Sequence, residues 1–171
     1  MSKDALILTP ILDARSQSRL DALRTAHFPA HRNYLSAHVT MFHALPGRRL
    51  GSIEAVLAAR AADTAPLPLT IGRAFRLGGG VAFRVQSPAL ETLRAGLANL
   101  WWPALTRQDR RDWHPHVTVQ NKVEADEAAQ TFARLAPAHV PWRGQALGLA
   151  LHRYRGGPWE PLSRYPFGGM A

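Results

Sequence analysis

Cysteine is absent from this chain of 171 residues, and lysine occurs only at Lys3 and Lys122. Without cysteine the chain has no disulfide bond, no thiolate metal ligand and no cysteine nucleophile. Long apolar runs are lacking too: the stretch DALILTPIL, residues 4–12, has the length of a strand and is too short for a transmembrane helix. No small-residue cleavage site follows it. We therefore expect a soluble, cytoplasmic protein without a membrane partner.

The positive charge of the chain comes almost entirely from arginine, and the formal net charge is +9. Such a charge attracts phosphate-bearing partners such as nucleotides and RNA. A genome rich in GC would also encode arginine and alanine often, so the charge alone does not decide between these explanations. Because the arginines are scattered and form no dense basic run, a dedicated DNA-binding arm is not expected.

Periodic apolar patterns divide the chain into alternating strands and helices. Extended segments are predicted at residues 5–12, 37–45, 67–77, 81–86, 116–123, 145–155 and 159–167. Helical patterns separate most of them, beginning near Ser16, Ile53, Pro88 and Ala128. Three glycines at positions 78–80 join one strand directly to the next. The predicted order is β-α-β-α-β, a glycine turn, and β-α-β-α-β with an added tail.

The tripeptide His-Val-Thr occurs once in each half, at residues 38–40 and 116–118, at the start of the second strand. A motif repeated at matching positions indicates duplication of a supersecondary unit. We expect one bilobal domain over residues 1–171, with halves at roughly 1–78 and 79–171. The fold class is α+β, with two antiparallel sheets that face a central cleft and helices outside.

Residues two apart in a strand share a face, so His38 and Thr40 point one way, as do His116 and Thr118. The valine between each pair points into apolar packing. Two imidazoles and two hydroxyls around one cleft suit a phosphodiester: one imidazole takes a proton, the other gives one, and the hydroxyls donate to phosphate oxygens. A lone histidine in such a strand is usually structural, and the duplication is what favours chemistry here.

The stretches HVTMFHALPG, from His38, and WHPHVTVQNKV, from Trp113, resemble the two-histidine phosphoesterase superfamily, and most closely its 2′-5′ RNA ligase family. The resemblance implies a bilobal fold with both His-x-Thr motifs in the cleft. It also implies metal-free and cofactor-free chemistry on 2′,3′-cyclic phosphates or 2′-5′ linkages in RNA or nucleotides. By motif match, His38 and His116 are the acid and base, in either order, and Thr40 and Thr118 bind the phosphate.

The remaining expectations concern neighbours of the motifs. Phe42, Gln120 and Lys122 continue the faces of the two motifs and are candidate substrate-binding residues, although a core phenylalanine and a solvated lysine are the common alternatives. Several residues border the predicted cleft, but strand parity cannot choose among them: Arg73, Arg76, Arg84, Arg153 and Tyr154. The glycines at 78–80 open no helix and precede no Lys-Ser/Thr, so they form no nucleotide-activating loop. Without nucleotide activation, ligation would have to be the reverse of phosphodiester cleavage. Hydrolysis of a cyclic phosphate is downhill, so we favour hydrolysis over ligation.

Three functions are carried forward from the sequence. The first is a monomeric, metal-independent phosphoesterase of the kind described above, whose reaction could also run in reverse as that of a 2′-5′ RNA ligase. The second is a non-catalytic RNA-binding module, which the net charge favours. The third is a metal-dependent hydrolase at His114 and His116, for which no usual ligand spacing supplies the further ligands.

Overall fold

The computed structural model describes residues 4–169, which form four α-helices and seven β-strands. The first half contains β1, α1, β2, α2 and β3; the second contains β4, α3, β5, α4 and β6, and β7 follows. The strands span Leu6–Leu12 (β1), Phe42–Leu45 (β2), Leu67–Arg76 (β3), Val81–Gln86 (β4), His116–Gln120 (β5), Trp142–Tyr154 (β6) and Trp159–Pro166 (β7). The helices span Ala14–His27 (α1), Leu50–Ala62 (α2), Pro88–Trp101 (α3) and Ala125–Ala138 (α4). The predicted α+β class and duplicated element order are confirmed.

All strand pairs are antiparallel, and they form a single open sheet in the order β2-β1-β6-β3-β4-β5, with β7 also paired to β6. This differs from the predicted pair of separate sheets. The reason is the length of β6: its first residues pair with β3, and the rest pair with β1 and β7. One long strand thus joins the two lobes. The pairing of one strand with partners in both lobes leaves no local pattern in the sequence.

The two halves exchange their third strands. β1 pairs with β2 of its own half and with β6 of the other, and β4 pairs with β5 of its own half and with β3 of the other. Each lobe has its own apolar core. Leu6, Leu8, Leu149 and Leu151 pack with side chains of α2 and α3 in one lobe, and a second core is formed by β3, β4 and β5 with α1 and α4.

Local signals in the sequence explain the helix starts and the central turn. Asp13 and Ser87 cap α1 and α3 by accepting backbone N–H groups of Ser16 and Leu90. The turn between β3 and β4 is tight, with Gly78 at a φ of 55°. A side chain at Gly80 would collide with the carbonyl oxygen of Gln120, so the turn can pack against the end of β5 only as glycine.

No helix within residues 4–169 combines the length and the apolar content needed to cross a bilayer.

Candidate active site

The two His-Val-Thr motifs lie side by side, joined by an antiparallel β-bridge between Val39 and Val117. The second motif begins β5, as predicted. The first lies just before β2, where the predicted strand at residues 37–45 is reduced to Phe42–Leu45 and the isolated bridge. Just after the bridge the chain reaches β1, where the N–H of Met41 donates to the carbonyl oxygen of Leu8, so the bridge connects the segment before β2 to β5.

Burial follows the alternation predicted for both motifs. Val39, Met41, Val117 and Val119 are fully buried, whereas the histidine and threonine of each motif are partly exposed. The antiparallel register around the bridge places Thr40 across from His116 and His38 across from Thr118. In agreement with this register, Thr40 and His116 line the same cavity. Each histidine therefore lies beside the threonine of the other motif.

The two imidazoles have the same hydrogen bond. Nδ1 of His38 lies 2.8 Å from the carbonyl oxygen of Ser36, and Nδ1 of His116 lies 2.8 Å from that of His114. A carbonyl oxygen only accepts, so Nδ1 carries the proton and donates it in both residues. In the neutral imidazoles Nε2 is then the free lone pair, available to take a proton.

His38 is held in its neutral form. Burial lowers its pKa to about 4; the Ser36 hydrogen bond opposes that shift, and the charges of Arg24, His152 and His116 add to it. At neutral pH the free Nε2 of His38 is therefore unprotonated.

A buried arginine of α1 ties the two motifs together. Nε of Arg24 donates to the carbonyl oxygen of Leu35, at 2.9 Å, and to Oδ1 of Asn33, in the loop before His38. Its Nη1 donates to the carbonyl oxygen of Thr118, at 2.8 Å. Arg24 thus fixes the loop of its own half against the motif of the other half.

Arg94 of α3, in the second half, ties the loop of its own half to the motif of the first half. It is buried and donates to the carbonyl oxygens of Asp109, in the loop before β5, and of Met41, just after the first motif, at 2.5 and 3.4 Å. Trp113 adds a third link from this loop, because its indole N–H donates to the carbonyl oxygen of Thr40 at 2.8 Å. The two helices at corresponding positions of the repeat therefore carry equivalent arginine ties.

The loop before β5 is also held by a buried carboxylate. Asp109 accepts the backbone N–H groups of His43 and Ala44 at 2.8 and 3.0 Å, and its Oδ1 lies 3.2 Å from Nδ1 of His43. Burial raises the pKa of Asp109, and its bonds to His43 and Ala44 outweigh that effect, so the pKa is lowered overall. His43 is therefore a partner of this carboxylate.

A cavity adjoins each histidine. The cavity at His38 has a volume of about 660 Å³ and is lined by Thr9, Tyr34, His152, Trp159 and Arg164 among others. The cavity at His116 has a volume of about 440 Å³ and is lined by Thr40, Phe75, Arg84, Arg111 and Trp113 among others. Both are large enough for part of a nucleotide. His38 lines the first cavity, whereas Thr40 and His116 line the second.

None of the three candidate substrate-binding residues lines either cavity. Phe42 is fully buried, with its ring edge-on to Trp101, so it belongs to the core. Gln120 is buried as well and donates to Thr131 of α4 at 2.9 Å. Both lie on faces covered by helices. Lys122 is exposed in the turn after β5, with a φ of 63°, and lines neither cavity.

Sequence reasoning missed four residues around the motifs: Arg24, Arg94, His152 and Trp159. The arginines sit on helix faces that an apolar pattern does not distinguish, and the other two come from β6 and β7, far along the chain. Arg84, one of the undecided cleft residues, pairs across from His116, with its guanidinium 4.5 Å from the ring centroid of Phe75. Within residues 4–169, no three His, Cys, Asp or Glu side chains come together as a metal ion requires.

The structure resembles several solved structures along nearly its whole length. TT0787 of Thermus thermophilus is 17% identical, with a TM-score of 0.67 over 98% of this chain and 100% of that one. A structure described as a phosphoesterase is 20% identical, with a TM-score of 0.63 over 95% and 98% of the two chains. LigT of E. coli, complexed with 3′-AMP, is 18% identical, with a TM-score of 0.56 over 95% and 97%. The fold is therefore that of LigT and related phosphoesterases.

The sequence itself matches the model of the 2′-5′ RNA ligase superfamily over residues 12–158. The chain belongs to this superfamily, as the paired motifs indicated. A search of proteins with curated functions finds no significant match. Membership and fold together support a phosphoesterase- or ligase-like enzyme.

Proposed function

We propose that this protein is a metal-independent phosphoesterase that hydrolyses a 2′,3′-cyclic phosphate or a 2′-5′ phosphodiester in RNA or a nucleotide. The observation that carries the proposal is the β-bridge between Val39 and Val117, because it brings the two His-x-Thr motifs next to each other. The E. coli LigT structures, which include complexes with 3′-AMP and ATP, support a nucleotide as the ligand class.

His38 is the general base in this mechanism. Its low pKa leaves Nε2 free at neutral pH, so it can take a proton from the attacking water as the water oxygen bonds to phosphorus. His116 is the general acid and gives its proton to the ribose oxygen as the bond from that oxygen to phosphorus breaks. The product is a phosphomonoester, and the two histidines are reset by proton exchange with solvent.

The threonines stabilise the charge that develops on the phosphoryl oxygens. The register of the bridge places Thr40 across from His116 and Thr118 across from His38, and from these positions we expect their hydroxyl groups to donate to the non-bridging oxygens. Arg84, at the side of His116, adds positive charge to that cavity. Ligation would be the reverse of this reaction and would depend on substrate concentration.

The test is turnover of adenosine 2′,3′-cyclic phosphate in the presence of EDTA. We expect hydrolysis by the wild type and a loss of at least about a thousandfold in His38→Ala and in His116→Ala, since each removes one proton-transfer partner. His31→Ala, an exposed histidine outside both cavities, is the matched control and should retain full activity.

A retained rate in either active-site variant would contradict the two-histidine mechanism. A protein without turnover that binds RNA in a salt-sensitive way, unaltered by the two substitutions, would be the non-catalytic RNA-binding module instead. The arginines that line the cavity at His116 are the observation that favours this second candidate.

A further inference from the structure

Strand β7 breaks the symmetry of the two halves. It follows the second β-α-β-α-β unit and pairs with β6 from Gly148 to Tyr154. The match to the superfamily model ends at residue 158, one position before β7 begins. The cavity at His38 therefore has a wall, formed in part by β7, that the cavity at His116 lacks.

The cleft-facing side of β1, β6 and β7 forms this wall. Ala150 pairs with Thr9 on one side and with Arg164 on the other, and His152 pairs with Pro161. All five residues line the cavity at His38. The opposite side of these strands carries Leu149 and Leu151, which are buried in the core. One face of the sheet thus forms this wall of the cavity.

Trp159 connects this wall to the catalytic pair. Its ring centroid lies 4.5 Å from that of His38 and 5.5 Å from that of His152. Nε2 of His152 lies 3.4 Å from Oγ1 of Thr9. Burial lowers the pKa of His152, and the charge of Arg164 contributes, so this imidazole is a neutral hydrogen-bonding group at neutral pH.

The charge in this part of the cavity is positive and unbalanced. Arg164 is exposed at the rim, and within the described chain no carboxylate lies within 4.0 Å of its guanidinium. None of the residues that line the cavity is acidic. A guanidinium, a neutral imidazole, a hydroxyl and an indole together suit a phosphorylated nucleoside, because the ring packs against the aromatic surface and the guanidinium binds an anion.

We propose that the cavity at His38 is a subsite for a second phosphate, bound by Arg164 and His152, while Trp159 packs against the nucleoside. The inference rests on the proposed function, since it assumes that the scissile phosphate lies between His38 and His116. The preferred substrate then carries a phosphate on the 5′ side of the nucleotide that reacts. In a mononucleotide this group is a 5′-phosphate, and in RNA it is the preceding phosphodiester.

Calorimetric binding tests the subsite without turnover. We expect the wild type to bind 3′-phosphoadenosine 5′-phosphate roughly tenfold more tightly than adenosine 3′-phosphate, a typical gain for a charge-assisted hydrogen bond. Arg164→Gln should reduce this preference to less than about twofold, and Arg164→Lys should keep part of it. Trp159→Ala should weaken both ligands by about tenfold through the lost packing.

The control is Arg60→Gln, which removes an exposed charge from α2, outside both cavities, and should keep the preference of the wild type. The dinucleotide ApAp, with a 3′-phosphate, distinguishes the two possible sources of the second phosphate, an RNA phosphodiester and a 5′-phosphate monoester. Tighter binding of ApAp than of adenosine 3′-phosphate assigns the subsite to the RNA backbone; a preference confined to the bisphosphate assigns it to a 5′-monoester.

Equal affinity of the wild type for the mono- and bisphosphate, or a preference that survives in Arg164→Gln, would overturn the subsite. That failure is separable from failure of the proposed function. Hydrolysis of the cyclic phosphate without any 5′-phosphate preference would refute only the subsite. Binding that depends on Arg164, in a protein without turnover, would refute only the proposed function.

Discussion

Val39, in the segment before β2, forms a single antiparallel β-bridge with Val117 of β5, and both side chains are fully buried. Because the bridge is antiparallel, it exchanges the two motifs: the histidine of each lies across from the threonine of the other. The fully buried valines face the core, and the polar groups on either side of them face the cleft. One backbone contact thus organises four candidate catalytic side chains.

The bridge itself can be weakened. Val39→Ala leaves a small cavity beneath both motifs, so we expect a loss of about 2 kcal/mol in the free energy of unfolding and a lower kcat. Val140→Ala, at a position that is 74% exposed, is the matched control and should change neither. Urea denaturation and turnover of a cyclic phosphate measure the two effects. A stability loss with unchanged kcat would show that the bridge does not aim the catalytic groups.

The pH profile tests the role of His38. A general base must be unprotonated, so kcat/KM should rise with pH through the pKa of His38, about 4, and fall at higher pH as the acid loses its proton. Rates with adenosine 2′,3′-cyclic phosphate across the acidic and neutral range, into mild alkali, define the profile. The His38→Gln variant should lack the lower limb in whatever activity remains. A lower limb whose midpoint lies at or above the pKa of a free imidazole would contradict the assignment of His38 as the base.

The same shift affects stability. The pKa of His38 is lowered to about 4 in the folded protein and is 6.5 without the fold, so between these values the unfolded chain binds more protons. Lowering the pH from 6.5 to 4 therefore destabilises the wild type, by about 1–2 kcal/mol after allowing for solvent screening. His38→Gln lacks this contribution, so its stability relative to the wild type should increase as the pH falls.

Urea unfolding at neutral pH and at two acidic values between the folded and unfolded pKa of His38 measures this difference. His31→Gln, which alters an exposed histidine, should follow the wild type across the range. A difference between wild type and His38→Gln that is the same at every pH would show that the imidazole is not desolvated.

The two arginine ties predict equivalent positioning roles for Arg24 and Arg94. Replacement of either by methionine keeps much of the packing volume but leaves backbone carbonyls without donors, which should cost about 3 kcal/mol. We expect kcat to fall more than KM changes, because the histidines are displaced while the cavities remain. Lysine should restore little, since one ammonium cannot reproduce the donor geometry of the guanidinium.

Arg15→Met, on the exposed side of α1, is the control for the Arg24 variant and should leave kcat unchanged. The readout that separates positioning from stability alone is the kcat of each variant well below its unfolding temperature. A destabilised variant with the kcat of the wild type would limit the arginine to a structural role.

Much of the fold was predictable because its signals are local. Apolar periodicity indicated the element order, Ser16 and Pro88 marked the starts of two helices, and the glycine run marked the central turn. The strand predicted at residues 37–45 was too long. The composition of this segment favours β structure throughout, but its first part pairs with β5 and its last part with β1. The single sheet escaped prediction because β6 pairs with three strands, and pairing between distant segments leaves no local pattern.

Some features of the candidate site were also predictable from local sequence, and others were not. Parity within a strand correctly separated the partly exposed His38 and Thr40 from the buried Val39, since alternation is a property of the extended backbone. Parity did not predict the burial of Phe42 and Gln120. A helix covers one part of a strand face and leaves another part open, so a residue can be buried although its neighbour two positions away on the same face is exposed. Lys122 lies beyond the strand, where alternation no longer applies.

Residue type and short spacing were enough to establish the duplicated unit, the paired His-x-Thr motifs and the apolar residues that support them. Long-range packing decided the rest: that Val39 meets Val117, that Arg24 and Arg94 tie each motif to the other half, and that β7 places Trp159 beside His38. These relationships join residues far apart in the chain. They follow from strand exchange through the long β6, which only the packed sheet reveals.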